Sequence, residues 1–242
     1  MNVIQTHTSY FDEILKENRN PLLHESIQFC QSIGVPIVTG TLIQSIEEID
    51  KTQFHFPVAA KIVSPDAIHK TEVEGVKLNI NTCNQLKEVF KDMKKSLYDY
   101  NPNAAFYGVY VHTMAPEGTE FFVGAKKDSV FGPIVLVGLG GIYVELFKDV
   151  AIRLAPVSKT EALEMIYQLK AARLFEGYRG KEPLDANALG DVIVKLSHAI
   201  ATLDEISDIE CNPILVYSKG CIAVDARIIL TSGSLIPFDV VK

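Results

Sequence analysis

The sequence predicts an α+β protein with antiparallel sheets in two lobes. Three observations carry this expectation. Apolar strand-like runs sit beside one another around tight turn signals, at Pro116-Glu117-Gly118 and at Ser218-Lys219-Gly220, which is how antiparallel neighbours are joined. Helical periodicity appears in separate blocks, around 84–98 and 184–204. A break at Asn101-Pro102-Asn103 changes the texture of the chain, and the lobes are expected to meet near residues 105–115.

Taken in order, residues 9–17 suit a short leading helix. Pro21 opens a second helix, Leu22 to Ser32, which Gly34 and Pro36 end; proline is preorganised for a first turn and glycine for an exit. Val35–Thr39 reads as a short strand, and Ser45–Lys51 carries helix-start signals. Phe56–Val63 and Gly75–Ile80 read as strands flanking a loop at 64–74. Thr82 is placed to cap a helix from about Asn84 to Tyr98, with Leu86, Val89, Phe90, Met93 and Leu97 at helical spacing. Tyr107–Met114 and Thr119–Lys126 are strands around Pro116-Glu117-Gly118, a hairpin signal. Pro133–Val137 and Ala151–Ala155 are further strands, followed by helices at about 159–169 and 184–204. Ile206–Tyr217 and Cys221–Ile229 close the chain as two strands joined at Ser218-Lys219-Gly220.

The 242 residues, 48% hydrophobic and 22% charged, have ordinary globular composition and length for two small lobes with a real core. A net charge of −7 argues against bulk nucleic-acid or anionic-membrane binding, both of which want a basic face. A local basic pocket for a nucleotide stays compatible with it. Cys30, Cys83, Cys211 and Cys221 form no CxxC pair and no zinc-ligand spacing with histidine. They read as free thiols of a reducing compartment. The N-terminus lacks a basic region followed by an apolar core, and no apolar run approaches the ~20 residues of a membrane span. The expected location is the cytoplasm.

The most informative stretch is 58–77. Lys61 stands in the middle of the apolar run Val58-Ala-Ala-Lys-Ile-Val63. Burying lysine is costly unless something anionic meets it. Lys61 is therefore either a strand lysine that snorkels to water or a cation reaching nucleotide phosphates. His69, beside Lys70 on the adjoining loop, is either a surface histidine or a base and phosphoryl acceptor near neutral pH. Gly138, Gly140 and Gly141 make a G-x-G-G turn after a strand, followed by Ile142-Tyr-Val-Glu145. It is either a plain tight turn or a place where backbone N–H groups approach a phosphate. Neither a dinucleotide fingerprint nor a P-loop is present. Finally, Asn212 in Glu210-Cys-Asn-Pro213 and Asp225 in Asp225-Ala-Arg227 come within reach across the last hairpin, depending on register. They are turn-flanking polar residues or, since both present oxygens, ligands of Mg²⁺.

Together these segments resemble the β subunit, or ATP-grasp part, of ADP-forming acyl-CoA synthetases, relatives of succinyl-CoA synthetase. The resemblance runs from about residue 20 to 231. It is carried by Lys61-Ile-Val-Ser-Pro-Asp-Ala-Ile-His69-Lys-Thr-Glu-Val-Glu-Gly-Val76, by Phe131-Gly-Pro with Gly138-Leu-Gly-Gly-Ile-Tyr-Val-Glu145, by Asp149-Val-Ala-Ile-Arg153-Leu-Ala-Pro156, and by Glu210-Cys-Asn-Pro with Asp225-Ala-Arg. It implies an ATP-grasp fold of two lobes clamping a nucleotide: a leader helix at 1–20, an N-terminal lobe at 21–108 and a C-terminal lobe at 109–242. It implies that Lys61 contacts nucleotide phosphates, that Val111, His112, Thr113 and Met114 form the hinge under adenine, and that Glu120 lies near the nucleotide. Asn212 and Asp225 would hold Mg²⁺, and Arg153 would face the transferring phosphoryl group with the Gly138–Gly141 turn. His69 matches the histidine that takes a phosphoryl group from a partner subunit's phosphohistidine. One departure stands out: the family usually has two glycines where this chain has Glu74-Gly75.

The implied activity is acetate–CoA ligase (ADP-forming) chemistry, in which acyl-CoA, ADP and phosphate give carboxylate, CoA and ATP. The cofactors would be ATP/ADP and Mg²⁺. A CoA-binding α subunit would complete the enzyme as an α2β2 heterotetramer, because the Rossmann glycine fingerprint that would bind CoA is missing here. Two rival readings are another ATP-grasp carboxylate ligase and a non-catalytic nucleotide-sensing subunit.

Overall fold

The computed structural model describes residues 3–67, 73–141 and 149–231, with side chains from Tyr10 onward. They divide into two compact units. The smaller comprises Leu22–Glu25 and Val38–Pro116; the larger comprises Met1–Pro21, Ser26–Ile37 and Glu117–Lys242.

In the smaller unit β1 (Gly40–Ile43), β2 (Val58–Val63), β3 (Val76–Ile80) and β4 (Gly108–Thr113) form an antiparallel sheet in the order β1-β4-β2-β3. Two helices pack on one face, α3 (Ile46–Lys51) and α4 (Cys83–Tyr100). Alternation decides that face. Val58, Ala60 and Ile62 of β2 and Val109 and Val111 of β4 join Leu86, Phe90, Met93 and Leu97 of α4 in one buried cluster. Thr82 caps α4, its hydroxyl accepting the Gln85 N–H at 3.2 Å. Gly40 is required where β1 crosses β4: a Cβ there would stand 2.2 Å from the Val111 carbonyl oxygen.

The larger unit is built on a six-stranded antiparallel sheet. β5 (Thr119–Asp128), β6 (Gly132–Leu139), β7 (Val150–Leu154), β8 (Ile206–Val216) and β10 (Ala226–Leu230) run in the order β10-β8-β5-β6-β7, and β9 (Cys221–Ala223) pairs with β8. The helices α5 (Lys159–Gln168) and α6 (Ala186–Thr202) lie against this sheet, with a 3₁₀ turn at Lys170–Phe175. On one face Val123, Val135, Val137, Ile209 and Cys211 are buried. α1 (Val3–Lys16) also belongs to this unit, with the part of α2 (Leu23–Ser32) from Ser26 onward; the Phe11 and Phe29 rings meet there, tilted at 41°, with 5.0 Å between centroids. The thiols of Cys30 and Cys211 touch at 3.9 Å in the core, Cys221 is also buried, and Cys83 is half-buried. Among the described residues no helix is long and apolar enough to cross a membrane.

Several elements differ from expectation. The Pro116-Glu117-Gly118 turn joins no hairpin. β4 is flanked by β1 and β2, and β5 by β6 and β8. Each is a central strand with both edges occupied, so neither has an edge left for the other. β4 consequently belongs to the smaller unit, whose last residue is Pro116 rather than the expected 108, and the leader helix belongs to the larger one. Val35–Thr39 is no strand; Ile37 makes a single bridge to Ala223. The expected final strand is broken at Val224-Asp225 into β9 and β10.

Candidate functional site

The candidate residues fall in both units, and each group is described by itself. In the smaller unit Lys61 lies on β2, directly opposite Tyr110 of β4 and Val76 of β3. Alternation sends it to the face away from the α3–α4 core, with Tyr110 and His112 as its cross-strand companions. All three are 4% exposed, so this face carries a buried polar row. Burial pushes the Tyr110 hydroxyl above its ordinary pKa.

Residues 111–114 have already committed part of their backbone. The Met114 N–H donates to the Pro57 carbonyl at 3.0 Å. The Thr113 carbonyl lies 2.9 Å from His112 Nδ1. Val111 and His112 sit in the ladder between β1 and β2.

His69 and Lys70 lie outside the described residues. The chain on either side of that loop is well anchored. Asp66 accepts the Ala105 N–H at 2.7 Å, and the Ile62 N–H donates to the Gly75 carbonyl at 2.8 Å. Glu74 adopts a left-handed backbone, φ 48°, a conformation that ordinarily selects glycine. Its carboxylate meets Lys77 Nζ at 2.7 Å, which holds it below the usual carboxylate pKa.

In the larger unit the last hairpin brings Asn212 and Asp225 together. Ala226 pairs with Cys211 and Arg227 with Glu210, and the Asn212 N–H donates to the Asp225 carbonyl at 3.3 Å. A bulge shapes this corner. Phe121 pairs with Ile214 and Val123 with Cys211, so Asn212 and Pro213 together oppose Phe122. Such a bulge re-aims a side chain: Cys211 and Ile214 are both buried, whereas Asn212 is exposed and Asp225 half-buried. One Asp225 carboxylate oxygen also accepts the Ala226 N–H at 2.9 Å.

By register, Glu120, Phe122 and Gly124 of β5, Gly138 of β6, and Glu210 and Asn212 of β8 share one sheet face. Asp225 and Arg227 flank the same face through the β8–β10 pairing. Arg153 does not. It pairs with Val135, which pairs with Ala125, which pairs with Ile209. That is the buried face, and the Arg153 charge acts on Glu161 of α5. The structure thus separates Arg153 from Asn212 and Asp225 by the thickness of the sheet.

The glycine turn is packed onto Glu120. The Gly140 N–H donates to the Glu120 carbonyl at 2.7 Å. Gly141 has φ 66°, and a Cβ there would stand 2.7 Å from a Glu120 carboxylate oxygen. The Gly140 amide is therefore engaged within the fold. Glu145 and its neighbours at 142–148 lie outside the described residues.

Sequence reasoning passed over Glu210. It precedes Asn212 by two residues, so both point to the same face. The signal was the Glu-x-Asn spacing on a strand. Among the described residues no three His, Cys, Asp or Glu side chains cluster as metal ligands. The donor chemistry is instead a few oxygens, one amide and one or two carboxylates. That suits Mg²⁺, which keeps its other positions for water and phosphate.

Comparison with known proteins shows the family of the chain. Residues 13–230 match the family model described as an ATP-grasp domain. The acetate–CoA ligase [ADP-forming] I subunit beta of Pyrococcus furiosus is 41% identical over 216 residues, spanning 88% of this chain and 93% of that protein. A dinucleotide-forming acetyl-coenzyme A synthetase 1 of Candidatus Korarchaeum cryptofilum, solved with coenzyme A, Ca-AMPCP and HgCl⁺, superposes with a TM-score of 0.85 at 39% identity, covering 91% of this chain and 99% of that one. The same enzyme solved with coenzyme A and Mg-AMPPCP, its phosphohistidine segment pointing towards the nucleotide-binding site, gives 0.77 at 36% identity, with the same coverage.

Proposed function

Because the chain belongs to the ATP-grasp family of ADP-forming acyl-CoA synthetase β subunits, we propose that it binds Mg·ADP and phosphorylates it through His69, acting with a CoA-binding partner subunit. Acyl-CoA, phosphate and ADP become carboxylate, CoA and ATP. The observation that carries this reading is the paired placement of Asn212 and Asp225 on the open sheet face, beside Glu210 and on the face of Glu120. Oxygen donors that face away from a helix-covered core have no packing reason to converge.

Each residue then has a physical task. Lys61, on its buried polar row, supplies positive charge to nucleotide phosphates, where low dielectric strengthens every charge interaction. Asn212, Asp225 and Glu210 offer the metal its protein oxygens. When bound, Mg²⁺ neutralises phosphate charge. His69 accepts a phosphoryl group as the P–N bond to the partner's phosphohistidine breaks, and an ADP β-phosphate oxygen takes it on as the His69 P–N bond breaks in turn. Positioning and charge do most of the work in such transfers.

The test is incubation with γ-labelled ATP and Mg²⁺. An acid-labile, base-stable label on the chain that disappears in His69→Ala is expected. No label with the partner present excludes the relay and favours an ATP-grasp ligase without a phosphohistidine. ADP binding without ATP formation from acyl-CoA and phosphate points to a sensing subunit instead.

A further inference from the structure

We propose that Cys30 and Cys211 form a redox-sensitive clasp, two thiols that join as a disulfide when a small-molecule disulfide such as oxidised glutathione prevails. The bond would tie α2 to β8 within the larger unit, and it does not depend on the nucleotide-binding reading above. The two sulfurs already meet. The Cys211 thiol donates to the Cys30 sulfur at 3.9 Å, and both residues are fully buried. That separation is ordinary non-bonded contact, so no atom stands between them.

Both backbones are anchored. Cys211 pairs with Val123 of β5 and with Ala226 of β10, so β8 is held along both edges at this point. Cys30 lies in the last turn of α2, where its carbonyl accepts the Val35 N–H at 2.9 Å and closes the helix exit. The adjacent Phe29 ring is set against Phe11. The two cysteines stand 181 residues apart in the chain, with Val38–Pro116 of the smaller unit inside the loop between them. Closing so long a loop is entropically costly for an unfolded chain, but the folded core has already closed it. A disulfide needs its sulfurs near 2.05 Å, so the pair must approach by about 2 Å. Turning each side chain about χ1 shares that movement and leaves the anchored backbones in place.

One chain thiol attacks oxidised glutathione, breaking its S–S bond to give a mixed disulfide and one glutathione thiol. The other chain thiol then attacks the chain sulfur of that mixed disulfide, forming the Cys30–Cys211 bond and releasing the second glutathione thiol. The chain gives up two electrons and two protons, and the two glutathione thiols carry them away. Burial sets when this happens: neither thiol is reached in the closed core, so exchange proceeds as this part of the unit opens or folds. Under reducing conditions the pair stays as two small apolar side chains in contact. Under oxidising ones the bond restricts the unfolded chain and so stabilises the folded one. Alternation turns Cys211 away from Glu210 and Asn212, so the clasp closes on the opposite face of the sheet from them.

The test is refolding of the whole chain from urea into glutathione buffers of rising oxidised fraction, then alkylation of the remaining thiols and mass mapping of the peptides. The dominant crosslink is expected to join the Cys30 and Cys211 peptides, two hydrogens lighter than the free pair. Prolonged incubation of the native chain in the same buffers gives the same readout without refolding. The thermal midpoint of the crosslinked chain should stand roughly 5–15 °C above that of the reduced chain, and dithiothreitol in urea followed by refolding should abolish the gain. In Cys30→Ala the midpoint should be the same in oxidising and reducing buffer; comparing one variant with itself removes any cost of the cavity. A different dominant crosslink overturns the inference, as does none at the most oxidising ratio in either arm. So does a Cys30–Cys211 crosslink that leaves the midpoint where it was.

Discussion

Two glycines on neighbouring strands of the large sheet, sharing one face, should respond oppositely to the same added methyl group. A Cβ on Gly138 would stand 2.5 Å from Phe122 Cε1 and 2.7 Å from the Asp149 carbonyl oxygen. Comfortable carbon contacts lie at about 3.5–4.0 Å, so the methyl intrudes by about 1 Å. The Phe122 ring can turn aside. The Asp149 backbone cannot, because its carboxylate accepts the N–H groups of Lys170 and Ala171 at 2.8 and 3.0 Å and Val150 pairs with Gly138. Gly138→Ala should therefore cost about 1–3 kcal/mol by overpacking. A Cβ on Gly124 meets nothing nearer than Glu210 Cβ at 3.8 Å and opens onto a shallow cavity lined by Leu136, Glu210 and Arg227. Gly124→Ala should stabilise by about 0.4–1 kcal/mol through the unfolded chain. The two variants then differ by about 1.4–4 kcal/mol, or about 0.7–2 M in urea midpoint at a slope near 2 kcal/mol/M. Urea unfolding followed by circular dichroism measures this directly. Equal midpoints for the two variants would refute the packing argument and the register on which it stands.

Three other expectations concern individual side chains. Asp225→Asn removes a ligand's charge and little volume, so ATP formation at limiting Mg²⁺ should fall roughly a hundredfold while the thermal midpoint stays near that of the parent. Arg153→Gln should change kcat/KM by less than about threefold and stability by about 0.5 kcal/mol, because its strand position faces α5; a large loss of kcat would contradict that placement. Asp185 caps α6, its carboxylate accepting the Ala188 and Gly220 N–H groups at 2.9 and 2.8 Å, and these bonds hold its pKa below the ordinary value. Its contribution is thus present above the unfolded pKa and lost as pH falls through the lowered folded one. Asp185→Ala should cost about 1 kcal/mol at pH 7, and the gap to the parent should close in strongly acid solution; a gap independent of pH would show that the charge is irrelevant.

Local signals were reliable where a local cause decides. Thr82 caps α4 as its spacing suggests, and Leu86, Phe90, Met93 and Leu97 face the core. Lys61 in an apolar strand was legible for the same reason: alternation and burial are properties of the strand itself. What a strand pairs with is not. Pro116-Glu117-Gly118 has hairpin chemistry, yet β4 and β5 had both edges taken by distant partners. The side to which Arg153 points depends on the β5–β6–β7 register, which no single segment encodes. The bulge at Asn212-Pro213 likewise arises from pairing with β5, so the spacing of Glu210 and Asn212 gained meaning only with the sheet in place. Glu74 marks the converse case. Its left-handed φ explains why glycine suits that position, and the Lys77 contact shows how a charged residue is accommodated there.

The placement of the four thiols makes this protein its own labelling reagent. Cys30 and Cys211 are sealed in the core against one another, and burial pushes the Cys221 thiol up to about 11. At pH 8 only about one Cys221 molecule in a thousand is then a thiolate, the form that reacts. Cys83, at the start of α4, is the half-buried exception. A fluorophore added briefly to the native protein should therefore report from one known position in the smaller unit, on the helix that backs the Lys61 strand, with no cysteine removed or introduced.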